Sequence, residues 1–282
     1  MSRVCKYNCN FCQPGPKQLF GYKERFKSPE NVIDELLHIK KNQGLNSFMI
    51  LDDNAFQNRK WLEGFIKCLE EHKDQINAKF FMAGRSDNIC KNKDLIPKLK
   101  ELGLTLVSVG FESASNNVLK ILRKGTSSEL NYMAAKILND NNVKIQANMI
   151  FGVVGETKED INLSVDFIKR IKPYIGGRCI NTLSSTYLYK EYKKKGLLFN
   201  EQRKLNPTPG TPKVKGINYF YINYIILKIR LLVPSSFPEK IKIIAYLKII
   251  GYHVIFLNFS LIKFYITYFI SSIFRNKNCV MY

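Results

Sequence analysis

From about residue 28 to 196, short β-like runs alternate with amphipathic helical stretches, and this alternation constrains the fold more than any other feature. The runs NSFMIL (46–51), AKFFMA (78–83), LTLVSVGF (104–111), VKIQANMIFG (143–152) and RCINTL (178–183) read as strands. Between them, Ser28 with Pro29 signals a helix start, and Val32, Ile33, Leu36 and Leu37 form one apolar stripe. Trp61, Leu62, Phe65, Ile66 and Leu69 repeat that spacing, as do Ile161, Val165, Ile168 and Ile171; Gly44, Gly103 and Gly196 fall where helices should end. Strands recurring roughly every 30–40 residues with a helix between them predict a parallel sheet, closed or partly closed as a barrel. In such folds the chemistry collects in loops after the strand C-terminal ends. The polar residues there are Asp52 and Asp53, Arg85 with Asp87, Glu112 with Ser113, and the turn from Gly152 to Glu156.

Three cysteines, Cys5, Cys9 and Cys12, crowd the start of the chain with the spacing C-x3-C-x2-C. Their loop joins the same mouth if Ser2–Val4 is the stub of a first strand. Disulfide pairing would leave one over, and the other four cysteines, Cys68, Cys90, Cys179 and Cys279, are scattered singly. Soft thiolates select zinc or iron–sulfur clusters, and a reactive site keeps one position open. Three thiolates on a four-iron cluster would leave one iron free for a small molecule. The alternative is zinc completed by a distant histidine, from His38, His72 or His253; the first two lie within helical patterns. Unpaired cysteines and a polar start without an apolar export segment point to the reducing cytoplasm.

The chain carries a net charge of +21, from 44 basic and 23 acidic residues. Its lysines are spread throughout and form no clustered aromatic and arginine face, so nucleic acid is not an expected partner. After residue 204 the character changes. A Pro/Gly linker spans 205–216, and an apolar extension over 217–282 follows; together they hold ten basic residues against one acid, Glu239. The run 254–274 is long enough to span a bilayer, but Lys263 near its centre would cost about 2.5–3.5 kcal/mol there. Helices docked on the barrel, or lying on a membrane surface as a peripheral contact, are the expected arrangement.

The triplet with its aromatic, Cys5, Cys9, Phe11 and Cys12, resembles the hallmark of the radical S-adenosylmethionine (radical SAM) enzymes. LDDNAF, GRSDNI, the long stretch DLIPKLKELGLTLVSVGFESASNNVLKILRKGT and IFGVVGETKEDI are similar to the branch that includes the anaerobic tetrapyrrole cyclase and normally carries an upstream cobalamin-binding domain. The resemblance covers about 190 residues. It implies a partial (β/α)6 TIM-like barrel over 1–204 and a [4Fe-4S] cluster on the three cysteines. It also implies S-adenosyl-L-methionine chelated at the open iron and cleaved reductively to a 5′-deoxyadenosyl radical, under anaerobic conditions. A flavodoxin- or ferredoxin-type one-electron reductant and a small-molecule or lipid-like substrate are the expected partners. The pattern departs from the family in three places. The first strand is cut short, no cobalamin domain is seen so cobalamin is not expected on this chain, and the usual P-G-T-x-L-Y reads SSTYLY at 184–189.

The same resemblance assigns cofactor contacts, each with a plainer alternative. Phe11 would meet the adenine, or pack its own loop. Asp53, beside Asp52, would meet the cofactor's ammonium, an acid being electrostatically right for a cation, or one aspartate would cap a helix. Glu112 would take both ribose hydroxyls, or make a surface salt bridge. Lys124 would hold the carboxylate, or be solvated. Asn148 would reach the adenosine, and Ile150 would flank the adenine. Gly152 would let the backbone approach, although a buried strand ending in a glycine turn explains Ile150 and Gly152 equally. Arg85 joins the set at its strand end, or pairs locally with Asp87. Readings outside turnover are a truncated or degenerate paralogue and an iron–sulfur carrier, which would not need Glu112, Asn148 or the glycine turn.

Overall fold

The computed structural model describes residues 2, 5–13, 15–21, 23–44, 46–173, 178–179, 185–198 and 214–232. In chain order the elements are α1 (Gly15–Phe20), α2 (Pro29–Gln43), β1 (Ser47–Met49), α3 (Arg59–Glu71), α4 (Lys73–Ile76) and β2 (Lys79–Arg85). There follow α5 (Ser86–Lys91), α6 (Ile96–Glu101), β3 (Leu104–Glu112), α7 (Asn116–Ile121), α8 (Ser128–Asp140) and β4 (Lys144–Phe151). The described chain ends with α9 (Lys158–Ile171), β5 (Arg178–Cys179), α10 (Tyr187–Lys194) and α11 (Tyr219–Leu232).

The strands form one sheet in the order β1-β2-β3-β4-β5, every pair parallel. Sequential order with a helical crossover at each step is the wrapping of a βα barrel, here partial. Alternation along each strand divides the residues between two faces. On β4, Ile145, Ala147, Met149 and Phe151 are buried beneath the helices, whereas Gln146, Asn148 and Ile150 on the other face are half-buried. The register aligns Arg85 with Gly110 and Gly110 with Asn148, so these three sit at one level near the strand C-terminal ends.

The helices form where their end signals and stripes demand. Ser28 Oγ accepts from the Asn31 amide at 3.2 Å with Pro29 in the first turn. Thr157 and Asp160 close a reciprocal capping box on α9. Gly44, Gly103 and Gly196 all take positive φ. At Gly103 a Cβ would lie 2.5 Å from the Ala78 carbonyl oxygen, so a side chain there collides with backbone. The buried faces of α2, α3 and α9 contain the stripes expected from sequence, except that Leu37 of α2 is half-buried. They meet the sheet in a core whose largest fully buried side chains include Phe56, Phe65, Phe80, Phe111, Phe151 and Phe167. Burying each contributes about 1.5–3 kcal/mol. The helix α11 packs into this same core through Ile222, Ile225, Ile226 and Ile229.

Two elements differ from the sequence expectation. The strand at 46–51 shortens to Ser47–Met49, and Leu51 just beyond it is 82% exposed. Of the expected stub only Ser2 is described, Arg3 and Val4 lying outside the described residues, and Ser2 itself does not extend the parallel sheet. It makes an isolated antiparallel bridge to Phe26, and its amide and hydroxyl both donate to the Asp52 carboxylate at 2.6 and 2.5 Å. Asp52 therefore anchors the chain start and also accepts from the Asn54 amide at 3.4 Å, while Asn58 caps α3. Residues 180–183 of the fifth expected strand, most of the linker and the run 254–274 lie outside the described residues. Among the described residues no helix is long and apolar enough to cross a membrane.

Candidate active site at the barrel mouth

The cysteine loop is tied across the ends of α7 and α10 by Asn10. Its amide donates to the Leu122 carbonyl at 3.3 Å and its Nδ2 to the Ile121 carbonyl at 2.8 Å, while its own carbonyl accepts from the Leu188 amide at 2.8 Å. Lys17 closes the loop from the other side, donating to the Tyr7 carbonyl at 2.6 Å and to Asn8 Oδ1 at 2.5 Å. So held, Cys5, Cys9 and Cys12 line one cavity of about 310 Å³ together with Phe11, Asp53, Arg85, Glu112, Lys124 and Asn148. Nine of the eleven residues expected from the sequence thus meet in one place.

The three thiols differ in surroundings. Cys9 is buried, Cys5 half-buried and Cys12 exposed. Burial pushes the Cys5 thiol up, against a pull from the Tyr7 backbone and Arg85. Burial also raises the Cys12 thiol, and the neighbouring Cys9 and Cys5 add to it. Burial and the adjacent Asp52 raise the Asp53 carboxyl. A cationic guest would relieve each of these penalties, since opposite charge favours the ionised form.

Glu112 is aimed by a break in the ladder. Gly110 pairs with Asn148 but Glu112 pairs with Met149, so β3 carries one extra residue there and Glu112 adopts φ 65°. Bulges of this kind re-aim side chains beside active sites. Its Oε1 accepts from Lys124 Nζ at 2.9 Å, and both residues are buried. The pair is an interior salt bridge, neither the surface bridge nor the solvated lysine that the plain readings expected. Gly110 makes room for it: a Cβ at this position would lie 2.6 Å from Glu112 Oε1 and 3.0 Å from Lys124 Nζ.

Arg85 does pair with Asp87, at 2.9 Å from Nε. It also donates from Nη2 to the Lys124 carbonyl at 2.5 Å and from Nη1 to Cys9 Sγ at 3.4 Å. Asn148 Nδ2 donates to Ser108 Oγ at 2.9 Å, both on the inner face. Ile150 and Gly152 are not in the cavity lining. Ile150 packs with Phe11 against a small apolar cluster of Val118, Leu122, Val153, Leu188, Tyr192 and Val214. Gly152 turns the chain after β4, its amide donating to Glu156 Oε2 at 2.6 Å. Sequence reasoning missed Tyr7, Asn8, Asn10, Lys17, Ser108, Gly110 and Tyr187. Position inside the cysteine spacing marks three of them, and the inner-face alternation of β3 marks Ser108 and Gly110.

The sequence profile described as the Radical SAM superfamily matches residues 1–168. The chain belongs to the radical SAM superfamily. Over 160 residues it is 29% identical to the anaerobic magnesium-protoporphyrin IX monomethyl ester cyclase of Rubrivivax gelatinosus, covering 57% of this chain and 28% of that protein. Over 210 residues it is 29% identical to the bacteriochlorophyllide d C-8(2)-methyltransferase of Chlorobaculum tepidum, covering 70% of this chain and 45% of that one. The chain therefore spans less than half the length of these curated relatives. Among solved structures, the radical S-adenosylmethionine methyltransferase TsrM from Kitasatospora setae, with cobalamin and a [4Fe-4S] cluster bound, superposes with a TM-score of 0.58 at 17% identity. That match covers 76% of this chain and 43% of TsrM. The cobalamin-dependent S-adenosylmethionine radical enzyme OxsB matches with a TM-score of 0.53 at 20% identity, covering 68% of this chain and 28% of its own. These likenesses confirm the TIM-like barrel fold.

The radical SAM family implies a [4Fe-4S] cluster and S-adenosylmethionine, and the residues present fit both. Three thiols face one cavity, and among the described residues no three Cys, His, Asp or Glu side chains converge tightly enough for a single metal ion. A four-iron cluster takes each thiolate on a different iron, and the three thiols lining this cavity are the donor type it needs. Of the histidines named for the zinc alternative, His38 and His72 bond Asn42 Nδ2 and the Cys68 carbonyl, and His253 lies outside the described residues.

Proposed function

We propose that this chain performs reductive cleavage of S-adenosylmethionine at the barrel mouth, with Cys5, Cys9 and Cys12 as the cluster ligands. The observation that carries the reading is the convergence of these thiols with the buried Glu112–Lys124 pair in one cavity. When bound, the cluster supplies one electron to the sulfonium of the cofactor, whose cleavage gives methionine and a 5′-deoxyadenosyl radical that abstracts hydrogen from a substrate. The chain's own residues do the holding. Glu112, whose ionised carboxylate accepts bidentately, takes the ribose hydroxyls. Lys124 takes the carboxylate and Asp53 the ammonium, each by opposite charge. Phe11, which lines the cavity, flanks the adenine, and Ile150 supports it through the apolar cluster against which both pack. Asn148 reaches the adenosine beside Ser108, Gly152 fixes the turn that positions Ile150, and Arg85 backs the cysteine loop.

The one-electron donor is of flavodoxin or ferredoxin type, and the substrate is a small or lipid-like molecule, consistent with the apolar, basic C-terminal extension. A pure iron–sulfur carrier needs no buried carboxylate–ammonium pair, and this pair favours turnover over that reading. Anaerobic reconstitution with iron and sulfide tests the assignment. The wild-type chain should hold about four irons, and Ala at Cys5, Cys9 or Cys12 should abolish the brown chromophore. Ala at Cys68, Cys90, Cys179 or Cys279 should leave it unchanged. Full iron retention after Cys9→Ala would overturn the reading.

A further inference from the structure

Arg85 is 4% exposed, and its guanidinium lies 3.6 Å from the centre of the Tyr7 ring. The Tyr7 hydroxyl in turn donates to Asp87 Oδ2 and shares a 2.8 Å contact with Asn88 Oδ1, so ring, carboxylate and guanidinium lock one another. Asp87 holds Nε and the Lys124 carbonyl holds Nη2, which leaves Nη1 directed at Cys9 Sγ, 3.4 Å away. Cys9 is the buried cysteine of the triplet, where screening by water is weakest. A fixed cation that donates a hydrogen bond to a ligating sulfur favours the more negative, reduced form of the centre.

We propose that Arg85 is a positioning residue that sets the electron affinity of the metal centre through its hydrogen bond to Cys9, with Tyr7 and Asp87 holding it in place. The proposal rests on the cluster assignment made above and goes beyond it in giving Arg85 a redox role distinct from cofactor binding.

The test is a redox titration of the full chain, reconstituted anaerobically and followed by the electron paramagnetic resonance signal of the reduced cluster. Arg85→Gln removes the charge, and Arg85→Lys keeps the charge but loses the fork. In Arg85→Gln the one-electron reduction should become about tenfold less favourable, a midpoint about 59 mV more negative than wild type. Arg85→Lys should fall between the two, with iron and sulfide content unchanged. A merely structural role would leave the midpoint unmoved in any variant that holds its full complement of iron. A wild-type midpoint in Arg85→Gln overturns the proposal. If that variant fails to take up iron, a wild-type midpoint in Arg85→Lys overturns it instead. A wild-type chain that takes up no cluster would fail the functional reading itself, before any variant is compared.

Discussion

The Glu112–Lys124 pair is expensive to build, which is why its surroundings are so constrained. A non-glycine residue at positive φ costs of order 1–3 kcal/mol, and two buried charges must repay their desolvation by mutual geometry. The missing side chain at Gly110 admits both charged groups. Gly110→Ala should therefore force the pair apart and weaken S-adenosylmethionine binding at least about tenfold, while iron content stays at the wild-type value. Glu112→Ala should do the same, since each charged hydrogen bond it would accept from a ribose hydroxyl contributes about 1.5–3 kcal/mol. Equilibrium dialysis beside an iron assay reads both, and undiminished binding in Glu112→Ala would remove that residue from the site. Glu156 offers a second test at this scale. Burial lifts its carboxyl from 4.5 to about 7, against the pull of the Gly152 and Val153 amides. A carboxyl raised in the folded state binds more protons folded than unfolded, so its contribution to stability is present below about pH 4.5 and lost as pH rises through about 7. Glu156→Gln should flatten that fall in denaturant titrations across this window; an identical slope in both proteins would contradict the burial argument.

At the scale of elements, α9 is the helix on which the sheet's packing depends. Phe167 stands edge-on to Phe111 of β3 at 4.9 Å and to Tyr132 of α8 at 4.8 Å. Phe167→Ala should cost about 3–5 kcal/mol by urea titration, and a loss under about 1 kcal/mol would mean the core closes over the gap. The α9 stripe of Ile161, Val165, Ile168 and Ile171 is visible in the sequence, as are the caps at Ser28 and Gly44, because helical periodicity and end chemistry are local properties; Phe167 is buried beside that stripe without belonging to it. Asp53, Arg85 and Glu112 are legible as polar residues following apolar strand runs, whereas Asn148, inside β4, enters only through the family resemblance. The ties that assemble the mouth were not. Arg85 meets Cys9 across 76 residues and Asn10 meets Ile121 across 111, separations at which no local pattern records a partner. The bulge that gives Glu112 its φ was equally hidden, since LTLVSVGF reads as an unbroken strand with Glu112 just after it. The antiparallel bridge of Ser2 was hidden too, since its partners Phe26 and Asp52 lie far along the chain.

For the molecule as a whole, the net charge of +21 and the apolar, basic extension set how it meets its surroundings. The first helix of that extension, α11, is committed to the barrel core through Ile225 and Ile229. With Lys263 near the centre of the run 254–274, membrane association should be electrostatic and superficial. High-salt or carbonate washing should then release the protein into the supernatant, and resistance to carbonate would point to a span. The central claim, that the thiols and the buried pair make one cofactor-cleaving site, is tested most directly by turnover. Reconstituted wild-type protein given S-adenosylmethionine and dithionite should release 5′-deoxyadenosine slowly even without its substrate, and the chain with Ala at Cys5, Cys9 and Cys12 together should release none. A fully loaded wild-type cluster that released no 5′-deoxyadenosine under these conditions would contradict the account.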